Sequence, residues 1–355
     1  MTVRAETPAW TRLAPAPTFT HLARLTDDTG LFEHARHAIV RREHGYCTDD
    51  VARGLVVTSR QRDPAPRVLR LAEGYLTFLT HAQDGSGAFR NRLGYDRRWA
   101  DQPALGDWWG RALWGLGTAA ACSPAAWIRQ EALVAFTLGA VRRSPAPHAM
   151  AFAGLGAAEV LRADPGNTLA ASLLADAADA VGWPGSDPAW LWPQQHLSYA
   201  SAALAEVVIA AGHLLPDVAR TSAGLRMLSW LRDLQLVDGG LSVLPAAGWR
   251  RGAERQRYDQ QPIEVAALAD ACATAAEATG DESWRDGVRA SVDWFLGRND
   301  AGAVMWNRAT GGGYDGLTPS GANLNQGAES TLALIATMQH AHGGERPSVT
   351  GGRRR

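Results

Sequence analysis

Helical repetition constrains this chain more than any single motif. Apolar residues recur at the spacing of a buried helix face in eleven segments, starting near Cys47, Arg67, Asp107, Pro124, Pro147, Asn167, Ser198, Asp217, Asp259, Asp281 and Asn325. Abundant alanine and scarce isoleucine also favour helix over sheet. The segments pair. A helix rich in small residues is followed, after a short turn, by a more amphipathic one bearing charges. The first members of the pairs recur every roughly 40 to 65 residues, in the manner of a helical-hairpin repeat. FLTHAQDGSGAFRNR, WLRDLQLVDGGLSVLP and WFLGRNDAGAVMWN share one plan, read as helix end, tight turn and small hairpin. Asp217 and Asp281 are placed to cap helices, and Pro147 and Pro262 fit first helical turns.

The expected fold is therefore all-α, an (α/α)6 toroid with short β-hairpins in its loops. Small residues suit six crowded inner helices, and charged amphipathic segments suit an outer ring. LFEHARHAI, from Leu31, would supply the twelfth helix and close the outer ring. An open solenoid would call for a more constant repeat length. Residues 21–342 form the toroid in this reading, 1–20 a loose arm and 343–355 a disordered tail.

Composition narrows the chemistry. All 35 basic residues are arginine, so Schiff-base chemistry, lysine-anchored pyridoxal phosphate and the P-loop lysine are excluded. A net charge of −1 argues against nucleic acid as the main partner. Cys47, Cys122 and Cys272 are far apart and form no CxxC pair, which fits a reducing compartment. The first residues lack the apolar run of a signal peptide, and no stretch of about 20 apolar residues occurs, so a cytoplasmic protein without a membrane partner is expected. His34, His37 and His44 do not build an HExxH or a second ligand cluster, GGGYDG lacks Rossmann context, and GxSxG is absent; no metal and no cofactor are expected.

In a helical toroid the inner-helix starts gather at one mouth, where ligand sites form. They carry Tyr46, Asp49 and Asp50; Asp107, Trp108, Trp109 and Arg111; His148; Trp190, Trp192, Gln194, His196 and Tyr199; Tyr258, Asp259, Gln260 and Glu264; and Asn323, Asn325, Gln326 and Glu329. Aromatic faces stack on sugar rings, while carboxylates and amides pair with hydroxyls. Two carboxyl groups are also what glycosidic cleavage needs, one to protonate the leaving oxygen and one to activate water or attack carbon. Each residue has a plainer reading. Asp49, Asp50 and Glu329 suit the positive end of a helix dipole, Asp259 and Glu264 could cap, Asp107 could pair with Arg111, and Asp27 and Asp28 look like a turn.

HLARLTDDTGLFEHARHAIVRREHGYCTDDVARGL, GRALWGLG, DGGLSVLP…GW, YDQQPIEVAALADA, WFLGRND and NLNQGAESTLALI together resemble a bacterial six-hairpin (α/α)6 glycosidase-like family. Its members occur alone or beside glycosyltransferases, and near phosphorylases of β-1,2-mannosides. The resemblance spans about residues 21–342. It implies that the carboxylates of GYCTDD, GDWWGR, YDQQPIE and GAEST matter, without separating acid from base. It also marks a departure. Where the pattern reads Tyr-Asp-Asn at the fourth inner helix, this chain has Tyr199, Ala200 and Ser201.

The expectation is a glycoside hydrolase acting on an oligo- or polysaccharide, such as a β-linked mannoside or glucoside, by carboxylate acid/base catalysis. Asp50, Glu264, Asp49 and Glu329 form the catalytic set, with Asp50 or Asp49 and Glu264 leading. Tyr46, Asp107, Trp108, Arg111, Trp192, Tyr199, Tyr258, Asp259, Gln260, Asn325 and Gln326 would hold the sugar. A glycosyltransferase is the expected protein partner. The alternatives are a carbohydrate-binding toroid without turnover, which the loss of Asp at position 200 would suit, and a sugar epimerase or isomerase on the same ring.

Overall fold

A computed structural model describes residues 14–342. The outer parts of the expected arm and tail, 1–13 and 343–355, lie outside the described residues. Twelve α-helices occur among the described residues: α1 (Thr20–Arg24), α2 (Thr48–Arg60), α3 (Pro66–Ala82), α4 (Asp107–Cys122), α5 (Ala126–Ala140), α6 (Pro147–Ala163), α7 (Thr168–Val181), α8 (Ala202–Leu214), α9 (Val218–Gln235), α10 (Pro262–Thr279), α11 (Arg285–Phe295) and α12 (Ala328–His342). The even-numbered helices form the inner ring. Each packs on the next, and α12 packs back on α2, so the ring closes and the solenoid is excluded. Helices α3, α5, α7, α9 and α11 each return along the outside of their inner partner.

Small residues let the inner backbones approach. A Cβ on Gly110 would lie 2.1 Å from the Ala149 carbonyl oxygen, and one on Gly156 would lie 2.2 Å from that of Leu113. No side chain fits at either point, so α4 and α6 touch through glycine. Inner helices are buried all round, as α10 shows from Pro262 to Cys272. Side chains cap several helix starts, at the expected Asp217 and Asp281 and also at Asn167. Asn167 accepts from Ala170 N at 3.0 Å at the start of α7, and Asp217 from Arg220 N at 3.0 Å at the start of α9. Asp281 caps a short 3-10 turn, Glu282–Trp284, that leads into α11.

Among the described residues, six two-stranded antiparallel ladders decorate the loops. Of the three related turns, the second forms the expected hairpin: Leu236–Val237 pairs with Gly240–Leu241 across Asp238 and Gly239, both at positive φ as a tight hairpin turn requires. The first closes through a single Gln83–Phe89 bridge. The third makes no ladder; Asn299 folds it instead, bonding the Trp294 and Ala303 carbonyls.

Two expectations are corrected. The Leu31 segment is not a helix. Leu31 bridges Thr26, Phe32 bridges Tyr46, and Ala35–Arg36 pairs with Ile39–Val40 around His37 at φ 51°, so neighbouring strands take the backbone bonds a helix would need. The sixth outer position belongs to the five-residue α1 against α12. The inner part of the arm is not loose either. Ala14 and Phe19 are buried in the core, and His342 Nε2 lies 2.9 Å from the Ala14 carbonyl oxygen.

Candidate active site

The six inner-helix starts bring residues from distant parts of the chain to one end of the ring. Helix α2 supplies Asp49, Asp50 and Arg53; α4 supplies Asp107 and Arg111; α6 supplies His148 and Phe152; α10 supplies Glu264; and α12 supplies Glu329. Each acid lies in or near a first turn, where unpaired backbone N–H groups make the potential positive.

Arg53 is the hub. Its guanidinium donates to Asp50 Oδ1 and to Glu329 Oε2, each at 2.7 Å. Burial opposes its charge, but Glu329 and Asp50 hold Arg53 above the usual arginine range. Partial burial would raise the Glu329 carboxyl, and Arg53 and Arg111 outweigh it and hold Glu329 below the ordinary carboxylate range. Asp50 behaves differently. Its side chain is only 4% exposed. Burial, against the pull of Arg53 and with help from Glu329, pushes its pKa up to about 7.

Arg111 forms a second centre. Its Nε lies 3.2 Å from Asp49 Oδ1, and its guanidinium sits 3.9 Å from the Phe152 ring centre. Burial, with the Arg53 charge adding to it, lowers its pKa to about 10. The Tyr199 hydroxyl donates to Asp107, whose carboxyl is raised mainly by burial. Behind Tyr199, the His148 ring stacks on it at 4.9 Å, and His148 Nε2 lies 2.9 Å from the Tyr199 carbonyl oxygen. Burial and Arg111 lower His148 to about 4, so its imidazole is neutral at pH 7.

Glu264 is 5% exposed and accepts the Ala200 N–H from the turn before α8. It caps its neighbour, not its own helix. Burial outweighs that bond and, with the Glu329 charge, pushes its pKa up to about 8. Below this cluster an axial cavity of about 40 Å³ is walled by Val56, Trp114, Phe152, Ile263 and Leu332, and Arg53, Arg111 and Glu329 border it.

Of the expected catalytic set, Asp49, Asp50, Glu264 and Glu329 all fall in this one cluster. Among the expected sugar contacts, Asp107, Arg111 and Tyr199 belong to it. Trp108 is half-buried and donates Nε1 to the Phe89 carbonyl, while Trp109 is wholly buried. Tyr258 is half-buried and Asp259 exposed in the loop ahead of α10. Asp259 does not cap that helix, whose first turn starts at Pro262 after Gln261.

Four expected contacts are buried and engaged with other residues. Tyr46 is buried, stacks on Phe32 at 4.6 Å and donates its hydroxyl to Asp27 at 2.7 Å. Trp192 is buried against Trp230. Gln260 is buried, with Trp294 bonding its carbonyl oxygen and its amide bonding the Arg257 carbonyl and Asp300. Gln326 is buried and accepts from Thr310 at 2.5 Å. Asn325 is half-buried and accepts the His37 N–H at 2.9 Å.

Arg53 and Phe152 are the residues the sequence reading missed. Arg53 had a signal, because Asp50 and Arg53 stand three apart on one helix face. Glu33, Cys47 and Asp50 bring three potential metal-ligand atoms within 4.8 Å of one another. Arg92 pairs with Glu33 and Arg53 with Asp50, so the two acids are already neutralised by arginine.

The fold and the carboxylate-lined mouth define an (α/α)6 toroid. No family model matches the chain, and no curated protein matches it. Solved structures do. A sugar epimerase from a ruminal bacterium superposes with a TM-score of 0.67 at 13% identity, over 92% of this chain and 96% of that one. Cellobiose 2-epimerase from Bacillus thermoamylovorans gives 0.68 at 12% identity, over 91% and 96%. A metagenome-derived glycoside hydrolase family 9 endoglucanase gives 0.60 at 12% identity, over 88% and 70%. At such identities the likeness shows the shared fold. No helix among the described residues is long and apolar enough to cross a membrane.

Proposed function

We propose that this protein is a carbohydrate-active enzyme that hydrolyses glycosidic bonds at the mouth of the ring. One observation carries the reading. Carboxyl groups with opposed protonation tendencies share a single cluster, Glu264 pushed up to about 8 and Glu329 held low by Arg53 and Arg111. Environments that push two carboxyls apart in this way separate acid from base. Glu264 is the proton donor to the leaving oxygen in this reading, and Glu329, with 38% of its side chain exposed, is the ionised partner. Asp50 positions Arg53. Asp49, Asp107 and Tyr199 bind hydroxyls, and Trp108 offers a ring face. The axial cavity, about 40 Å³, is far below the roughly 300 Å³ of a small-molecule site, so the sugar ring sits above it at the open mouth. The names of the neighbouring structures support a saccharide substrate.

The test is a panel of oligosaccharides that includes β-linked mannosides and glucosides, read by release of reducing ends. Glu264→Gln and Glu329→Gln are each expected to lower turnover by about 10²–10⁴-fold in folded protein. Undiminished turnover in either variant removes that residue from its role.

The overlap with epimerases, at TM-scores of 0.67 and 0.68, favours a second reading, sugar epimerisation or isomerisation. That chemistry needs a base for a carbon-bound proton, most often histidine. His148 is the inner-helix-start histidine of this cluster, and its Nε2 is engaged by the Tyr199 carbonyl. An NMR time course separates the two readings, because a new stereoisomer formed without chain cleavage is epimerisation.

A further inference from the structure

Most outer helices of the ring turn polar residues to solvent: α3 exposes Arg67, Arg70 and Thr77, and α7 exposes Ser172, Asp176 and Asp179. Helix α5, between them, does not. Trp127, Leu133, Val134 and Leu138 on α5, and Val141 just after it, are all exposed, Trp127 to 59% and Val134 to 66%. Trp127, Val134 and Val141 stand seven residues apart, with Leu138 four beyond Val134. That is the seam of a helix packing against another helix. The Trp127 ring is anchored, donating Nε1 to Glu73 on α3 at 2.9 Å. A continuous exposed apolar face with a polar rim marks a place of association.

Two charges say what covers it. Glu131, towards the start of α5, and Arg142, past its end, are both exposed, and neither has an ion-pair partner among the described residues. They are about 16 Å apart along the helix. A parallel neighbour of the same kind would set like charge against like, whereas an antiparallel one sets acid against base at both ends.

We infer that α5 is a self-association face, on which two copies of this chain pair antiparallel about a two-fold axis passing near Thr137. That axis brings Glu131 to Arg142 of the partner subunit and, by symmetry, repeats the pair at the other end. Val134, Leu138 and Val141 fill the centre. Sharing one helix face, the pair is small beside stable interfaces of roughly 800 Å² per partner and is expected to exchange readily.

Sedimentation velocity of the full chain, from about 1 to 100 µM, tests this. The expected result is a shift from 37.9 kDa towards twice that mass. Val134→Asp is expected to abolish the shift with the circular dichroism spectrum unchanged. Glu131→Arg and Arg142→Glu are each expected to weaken it by about tenfold or more, and the double variant to restore it. A 37.9 kDa species at every concentration overturns the inference. So does a dimer indifferent to Val134→Asp, or a double variant as weak as the singles. A monomer that captures a different protein through α5 also counts against a second copy.

Discussion

Glu264→Gln should make this protein more stable in base while disabling it. The buried carboxyl has a pKa of about 8 against an ordinary 4.5, a rise set mainly by burial. At about 1.4 kcal/mol per unit, that rise corresponds to roughly 5 kcal/mol. The sign follows from linkage. A carboxyl whose folded pKa is raised contributes its stability fully below pH 4.5 and loses it as pH climbs through about 8. Glutamine keeps an oxygen for the Ala200 N–H and has no proton to lose, so the variant lacks that decline. The two proteins should therefore unfold within about 1 kcal/mol of each other near pH 4.5, with the variant ahead by roughly 5 kcal/mol above pH 8. Urea unfolding followed by circular dichroism from acid to pH 9 measures the gap, and reducing-end release measures activity on the same samples. Parallel stability curves across the range would refute the reasoning, because Glu264 would then titrate as an ordinary surface acid.

Arg53→Met leaves Asp50 and Glu329 without their shared counter-charge, and should cost about 3–5 kcal/mol near neutral pH. The loss should shrink in acid, as both carboxyls take up protons in the folded variant; a pH-independent loss in urea unfolding would contradict this. Ala200 has φ 47°, a conformation that suits glycine and penalises branched side chains. Ala200→Gly should hold thermal stability within about 1 kcal/mol, while Ala200→Val should lose about 2 kcal/mol or more. Equal melting of these two variants would show that the backbone relaxes there.

The fold was legible because its signal is local. Helical periodicity, caps at Asp217 and Asp281, and the Asp-Gly turn before Gly240 each act within a few residues. The one expected helix that fails, the Leu31 segment, fails for a non-local reason: the bridges of Leu31 to Thr26 and Phe32 to Tyr46 outcompete its own periodicity. Acids in the first turns of inner helices were legible for the same local reason, since the ring turns every such start to one mouth. What the sequence hides is which polar side chains residues far along the chain consume. Gln260 and Gln326 resemble sugar-binding amides in sequence, yet Trp294, Asp300 and Thr310 claim them from 34, 40 and 16 residues away.

Arg53 sets the limit in the other direction. Its bond to Asp50 spans three residues and can be read from a helical wheel, but its bond to Glu329 spans 276. Only the second bond makes it part of a site, because only closure of the ring brings α12 against α2. The difference between Glu329, held low, and Glu264, pushed up, has the same origin. Both are first-turn glutamates on inner helices, at Pro-Ile-Glu and Ala-Glu, and local sequence gives no reason for them to titrate differently. The difference lies in what faces them. Arg53 and Arg111 face Glu329, while Glu264 is buried and receives a backbone N–H from the turn before α8, so the two carboxyls are pushed apart by neighbours that the toroid supplies.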